Sequence, residues 1–135
     1  MLTSILITRS PKHSKDRAFA YEMSAIRGLH AINTAQTQYR AAYHRYATTL
    51  PELGPPTADG ISSASAADLI PGDLAHGTKS GYNFTMVGSP QRYAVNANPQ
   101  VYKTTGSRSF FTDQSTVIRE HLGNEPASVN DPEIK

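Results

Sequence analysis

The sequence predicts an α+β fold in which one long amino-terminal helix packs on an antiparallel sheet of about four strands. Two observations support this class. Residues 16–47 contain no proline and repeat apolar side chains at the three-four spacing of one helix face. After residue 80, short alternating segments are separated by glycine, proline and asparagine, which is typical of strands joined by turns.

The helix is expected to span residues 16–47. Ser14 is predicted to cap its start, and Pro51 to end it, because proline disfavours helical backbone at the residue before it. At about 1.5 Å per residue the helix would be on the order of 45 Å long, so a small domain should leave its first turns uncovered. Gly28 costs about 1 kcal/mol relative to alanine inside a helix. Either the helix tolerates this cost, or a neighbouring element packs closely against the helix at Gly28; both alternatives stay open.

The remaining chain divides into three parts. Residues 48–80 are a long connection rich in Gly, Pro, Ser and Ala, and residues 81–121 contain two predicted hairpins, 82–87 with 92–97 and 109–112 with 116–120. Residues 122–135 read as a polar tail. Residues 1–15 form a basic leader whose segment 4–8 is strand-like, and residues 16–135 are expected to form one domain.

A single hydrophobic core is expected between the helix and the sheet. The helix should contribute its periodic apolar face, and the strands their alternating residues. The positions chosen for this core are Leu29, Ile32, Tyr39, Tyr43, Phe84 and Phe110, with Tyr93, Val95 and Val117 as further strand contacts. The connection is expected to be pinned to it by Leu50, Leu53, Leu69, Ile70 and Leu74.

The charge is unevenly distributed. Residues 1–46 carry seven lysine and arginine side chains against two carboxylates, whereas residues 47–135 carry six against nine. Four basic residues of the amino-terminal region could contact an anionic surface or nucleic acid: Arg9, Lys12, Lys15 and Arg17. A solvated helix face is the simpler interpretation. The chain has no cysteine, which excludes disulfides and thiolate metal sites, and residues 2–8 are too short to span a bilayer.

No pattern in the sequence indicates an enzyme, a metal site or a cofactor. The five histidines match no common metal-ligand spacing, and no serine lies in a nucleophile elbow. Residues 72–80 superficially resemble a phosphate-binding loop, but Thr78 separates the second glycine from the lysine, so a turn leading into the sheet is favoured. Asp113 could bind Ca²⁺ beside its turn, although an Asx-type turn explains it more simply. We therefore expect a protein without catalytic activity.

Three segments resemble, in the expected order, parts of type IV pilins and type II secretion pseudopilins. Residues 25–43 are similar to the periplasmic half of the long pilin helix, and residues 77–85 and 105–119 are similar to strands of the head domain. The resemblance covers residues 22–132 and implies a pilin-like fold, a place in an extracellular filament or at the periplasmic face of the inner membrane, and a bacterial source.

The amino-terminal region departs from that pattern. Pilins begin with a short leader, a peptidase site and an apolar half-helix, whereas residues 1–17 here contain four basic residues and one acid. The carboxy-terminal cysteine pair of many pilins is also absent. The apolar half-helix would therefore belong to a longer form of this protein or to a separate short chain, and both alternatives stay open.

The resemblance and the uncovered first turns together predict a structural subunit of a pilus-like filament or a secretion pseudopilus. Phe19, Met23 and Ile26 are the expected assembly interface, where copies of this chain or a separate apolar-helix chain would pack. Segment 4–8 could add to the sheet edge of a neighbour. The alternative is a pilin-like module that binds DNA or an anionic surface through its basic region.

Overall fold

The structure is a computed structural model that describes residues 11–57 and 60–134, with side chains from residue 15 onward. One long helix, α1 (Pro11–Tyr43), lies on one face of an antiparallel sheet. In the chain, α1 is followed by a 3₁₀ helix (Leu50–Leu53) and a single helical turn, α2 (Gly72–Ala75), before the strands begin. The strands are β1 (Thr78–Lys79), β2 (Tyr82–Gly88), β3 (Tyr93–Pro99), β4 (Arg108–Asp113) and β5 (Ile118–Leu122). The α+β class is confirmed.

Helix α1 begins and ends earlier than predicted. It begins at Pro11, where a proline suits the first helical position because its missing N–H would have no helical partner, so Ser14 lies inside the helix and does not cap it. At the other end His44 adopts a left-handed conformation (φ 63°), and its N–H donates to the carbonyl of Arg40 (2.8 Å). This αL turn ends the helix well before Pro51.

Within the described residues the sheet has five strands in sequential order, each antiparallel to the next, where about four were expected. The additional strand is β1, whose two residues pair with Tyr82 and Asn83 of β2. The last strand also lies two residues later than predicted. As a result Ile118, which is 6% exposed, fills the core position expected of Val117, which is half-buried.

The core lies between α1 and the sheet. Five of the six predicted core positions are buried. The exception is Tyr43, which is half-buried and stacks at a tilt on the ring of Tyr39 (4.7 Å between centroids). The connection is pinned as expected, since Leu50, Leu53, Ile70 and Leu74 are buried and Leu69 packs against the core.

Gly28 lies where the sheet approaches the helix closely. A Cβ atom at this position would lie 3.0 Å from Cζ and 3.2 Å from Cε2 of Phe84, which is itself only 3% exposed. The absence of a side chain therefore lets β2 pack its phenylalanine directly on the helix backbone. Close packing is the physical reason for the glycine.

Residues 123–134 return across the outer face of the sheet and along the edge of β5. The buried Ala127 accepts a hydrogen bond from Nδ2 of Asn96 through its carbonyl (2.8 Å), and Glu133 pairs with Arg119 in an isolated antiparallel bridge. Ile134 then packs against the core. The segment expected to be a polar tail thus covers the last strand, and the fold shields a sheet edge that would otherwise be open to pairing.

Candidate functional site

The three predicted interface residues share one flank of α1. Their spacing of four and three residues places them on the same side of the helix. Phe19 is 57% exposed, whereas Met23 and Ile26 are half-buried, and Ile26 packs against the core. The flank is therefore less open than the sequence indicated, and its most exposed apolar side chain is Phe19.

This flank continues into a cavity of about 270 Å³ between α1, the start of β5 and the end of the chain. Its apolar walls are Ile26, Val117, Ile118 and Ile134, and its rim carries His30 and Glu133. We call Phe19, Met23 and Ile26 together with this cavity the helix flank. The contribution of Ile134 could not be read from the sequence, because only the returning chain brings it beside Ile26.

The sheet side covers α1 further toward its amino terminus than expected. Ala18 and Glu22 are each 6% exposed, and Oγ of Ser24 donates to Oγ of Ser80 (2.9 Å). The first three helix residues whose side chains are described, Lys15, Asp16 and Arg17, are exposed. The expectation that the first turns of the helix would be left uncovered is therefore wrong for the face that carries Ala18 and Glu22. The loop that leads into β4 closes over the helix start.

An ion-pair network accounts for this closure. One carboxylate oxygen of Glu22 accepts a hydrogen bond from Nε of Arg108 (3.0 Å) and forms an ion pair with Nη2 of the same side chain (3.0 Å). The other oxygen accepts a hydrogen bond from the backbone N–H of Ser107 (2.7 Å). Nη1 of Arg108 donates to Glu120 on β5 (2.7 Å). We call Glu22, Arg108 and Glu120 the ionic clamp, because it ties α1 to β4 and β5.

Burial and neighbouring charges shift the pKa of Arg108 in opposite directions. Burial alone lowers the pKa of the Arg108 guanidinium, but the hydrogen bond to Glu120 and the charge and hydrogen bonds of Glu22 outweigh it and raise that pKa. The sequence did contain a signal for the clamp. Glu22 occupies the helix face defined by Ala18, Ala25 and Leu29, and a carboxylate on a buried face is rarely left without a partner.

A second polar network fixes the middle of the helix on the sheet. Asn33 donates through Nδ2 to Oγ1 of Thr112 (3.0 Å) and accepts through Oδ1 from the hydroxyl of Tyr93 (2.8 Å). Burial, followed by the charges of Tyr46 and Asp113, raises the pKa of Tyr93, so the phenol stays protonated and keeps its role as donor. Because every member is buried and paired, the network fixes the register between α1 and the sheet.

Gln36 performs a similar role for the chain that follows the helix. Its side-chain amide exchanges two hydrogen bonds with the backbone of Ala47, accepting from the N–H (2.8 Å) and donating to the carbonyl (2.9 Å). The residues beyond His44 are therefore held against the helix without being part of it. Sequence reasoning missed both Asn33 and Gln36 as core residues.

The basic residues proposed for anion contact are only partly within the described side chains. Arg9 lies outside the described residues, and the side chain of Lys12 is likewise outside them. Lys15 and Arg17 are exposed, and Lys15 shares a cavity of about 430 Å³ with Lys103 and Phe19. Segment 4–8, predicted to be strand-like, also lies outside the described residues.

Within residues 15–57 and 60–134, no group of three His, Cys, Asp or Glu side chains could hold a metal ion. His30, His44 and His76 are exposed, and Asp113 accepts from the N–H and hydroxyl of Ser115 as an Asx-type turn. No helix in the described part of the chain combines the length and apolarity needed to cross a bilayer.

The outer face of the sheet carries a further open cavity of about 470 Å³. Its floor and walls are apolar, with Val87, Ala94, Phe111 and Val129 as members, and Arg92 and Asp113 are among its polar members. Val129 belongs to the returning chain, so this cavity, like the one on the helix flank, is completed by residues 123–134.

No protein-family model, curated protein sequence or solved structure gives a significant match to this chain. Its function must therefore be inferred from its own residues. The features used for that inference are the helix flank, the ionic clamp, the cavity lined by Lys15 and Lys103, and the cavity on the outer face of the sheet.

Proposed function

We propose that this chain is a structural subunit of a pilin-like filament or secretion pseudopilus and acts by packing against neighbouring subunits. The observation that supports this function best is the helix flank, where the exposed Phe19 lies about two helical turns before a cavity walled in part by Ile26 and Ile134. A subunit that works by packing needs no reactive groups, and we propose that the protein is not an enzyme.

The energetics of the flank suit an assembly contact. Burying one large apolar side chain stabilises by about 1.5–3 kcal/mol, so Phe19 and the exposed parts of Met23 and Ile26 could hold a reversible contact. The cavity beside them exceeds the roughly 150 Å³ that accommodates a benzene ring in a protein core. The ionic clamp keeps Phe19 in place before any partner binds, which lowers the ordering cost of association.

The partners in this proposal are further copies of the chain or a separate short chain with an apolar helix. Its place would be an extracellular filament or the periplasmic face of the bacterial inner membrane, following the resemblance of residues 25–43, 77–85 and 105–119 to pilin segments. The helix flank is the surface on which such a partner would pack.

The test is assembly of the full chain with Phe19→Ser and Met23→Ser combined, followed by light scattering and electron microscopy. We expect the double variant to stay folded and to lose filaments or partner complexes. Val87→Ser is the matched control, because Val87 is 78% exposed but lies on the outer face of the sheet. Assembly that survives the helix substitutions and fails in the control would place the interface on the sheet and overturn the proposal.

A second candidate function is binding to nucleic acid or another polyanion. The observation that favours it is the cavity whose lining includes Lys15, Lys103 and the aromatic ring of Phe19, beside the carboxylates of Asp16 and Glu22. The test is fluorescence anisotropy with a short DNA duplex at increasing salt. Affinity that falls steeply with salt, and that weakens in the combined variant Lys15→Gln and Lys103→Gln, would support it, whereas salt-independent or absent binding would exclude it.

A further inference from the structure

His121 of β5 lies between two carboxylates of the returning chain. Its Nδ1 is 3.0 Å from Oδ1 of Asp131, and its Nε2 is 3.2 Å from Oε1 of Glu125. The other oxygen of Asp131 accepts the backbone N–H of Ser128 (2.8 Å), which fixes the carboxylate in the loop. The imidazole therefore joins two points of the chain that lie on either side of the buried Ala127.

Only the charged imidazole satisfies both contacts. A neutral ring has one N–H and one acceptor nitrogen, while an ionised carboxylate can only accept, so a neutral His121 can serve one of its two partners and must turn a lone pair toward the other. The hydrogen bonds of Asp131 and then Glu125 accordingly raise the pKa of His121.

These contacts hold residues 123–134, which we call the strap. The strap is attached elsewhere by Asn96, which donates to the Ala127 carbonyl, and by two backbone hydrogen bonds with β5: Glu120 N–H to the Pro132 carbonyl and Ile134 N–H to the Ile118 carbonyl (both 2.9 Å). It supplies Val129 to the outer cavity and Ile134 to the cavity on the helix flank.

We propose that the strap is a pH-sensitive closure of the sheet, fastened while His121 is protonated and loosened when the ring loses its proton. The charged groups around the ring are Glu125, Asp131 and Arg119, whose Nη1 donates to the backbone carbonyl of Asp131 (2.9 Å). Arginine keeps its charge at every relevant pH, so this tether persists and deprotonation loosens the strap without releasing it. This proposal depends only on the strap contacts and not on the assembly role.

The sign of the effect follows from linkage. A histidine whose pKa is raised in the folded state stabilises the closed strap below its unfolded value, and the contribution is lost as pH rises through the folded value. The pKa of Glu125 is lowered, first by its backbone hydrogen bond. The pKa of Asp131 is lowered, first by its hydrogen bond to His121. The stabilisation that these two carboxylates give the strap is therefore lost only in acid. The strap is therefore tightest from mildly acidic pH up to the ordinary pKa of histidine, and it loosens as pH rises further through the raised pKa of His121.

The experiment is amide hydrogen exchange of the full chain followed by NMR at a series of pH values, together with titration of the histidine rings. The reporter is the Glu120 amide, which donates to the strap, and the reference is the Phe84 amide, which donates to the Gly77 carbonyl on the other side of the sheet. We expect the protection of Glu120 relative to Phe84 to fall roughly two- to fivefold as His121 titrates, the size typical of exposed ion pairs.

Two variants make the result decisive. His121→Gln should remove the pH dependence of Glu120 protection, and Asp131→Asn should move the midpoint of ring titration downward. His30→Gln is the matched control, because His30 is an exposed histidine beside Ile134 at the other end of the strap, and it should behave like the wild type. A His121 ring that titrates at or below its ordinary value, or an unchanged pH dependence in His121→Gln, would overturn the proposal.

Discussion

The ionic clamp offers a quantitative test of how the start of the long helix is held. In the variant Arg108→Met, an unbranched apolar side chain is kept, while the guanidinium, whose Cζ lies 5.1 Å from the centre of the Phe110 ring, is lost. The carboxylate of Glu22 then retains only the Ser107 N–H, although its side chain is 8% exposed. We expect a clear loss of stability because a buried charge is left without its partner.

The magnitude follows from comparable buried pairs. Removing one partner of a buried ion pair costs about 3–5 kcal/mol, and the partial exposure of the Arg108 and Glu120 side chains, 16% and 29%, places this clamp at the lower end, about 3 kcal/mol. With a urea dependence of about 1.5 kcal/mol/M, typical of a small domain, the unfolding midpoint should fall by about 2 M.

The assay is urea unfolding followed by circular dichroism, with two further variants. Arg92→Met removes an exposed arginine and should change stability by less than about 0.5 kcal/mol. Adding Glu22→Gln to Arg108→Met should recover part of the loss, because the uncompensated charge is gone. A loss below about 1 kcal/mol for Arg108→Met, or the same loss with and without Glu22→Gln, would refute the reasoning that the clamp holds the helix start.

Three further predictions concern the core and its tyrosines. Tyr39→Ala should cost about 3 kcal/mol in urea unfolding, since the ring is fully buried; a loss under about 0.5 kcal/mol would show that the helix face is misassigned. Gly28→Ala should destabilise by about 1 kcal/mol despite the better helix propensity of alanine, because the added methyl meets the buried ring of Phe84; a stabilised variant would show that this ring can move. Burial is the main cause that raises the pKa of both Tyr82 and Tyr93, so the contribution of these tyrosines to stability should be constant below about pH 10 and be lost above it, because the unfolded chain ionises first; an unfolding midpoint that stays flat from about pH 9 to about pH 11 would contradict this.

The helix, the strands and most of the core follow from local pattern. Leu29, Ile32 and Tyr39 were predicted from three-four spacing, and Phe84 and Phe110 from alternation, and all five are buried. These predictions hold because burying one face of a helix or strand requires that periodicity whatever the partner. The boundaries were less well predicted, because the αL turn at His44 depends on a backbone conformation that no residue pattern there demands.

The surface features, in contrast, depend on contacts between residues distant in the chain. The sequence indicated Phe19, Met23 and Ile26 as an apolar set, but it could not show that Ile134 would return beside Ile26, or that Arg108 would cover the helix start through Glu22. It likewise gave no sign that His121 would meet Asp131. Periodicity determines which face of an element is buried, whereas the pairing of particular charged side chains is decided only when the complete fold brings distant segments to hydrogen-bonding distance.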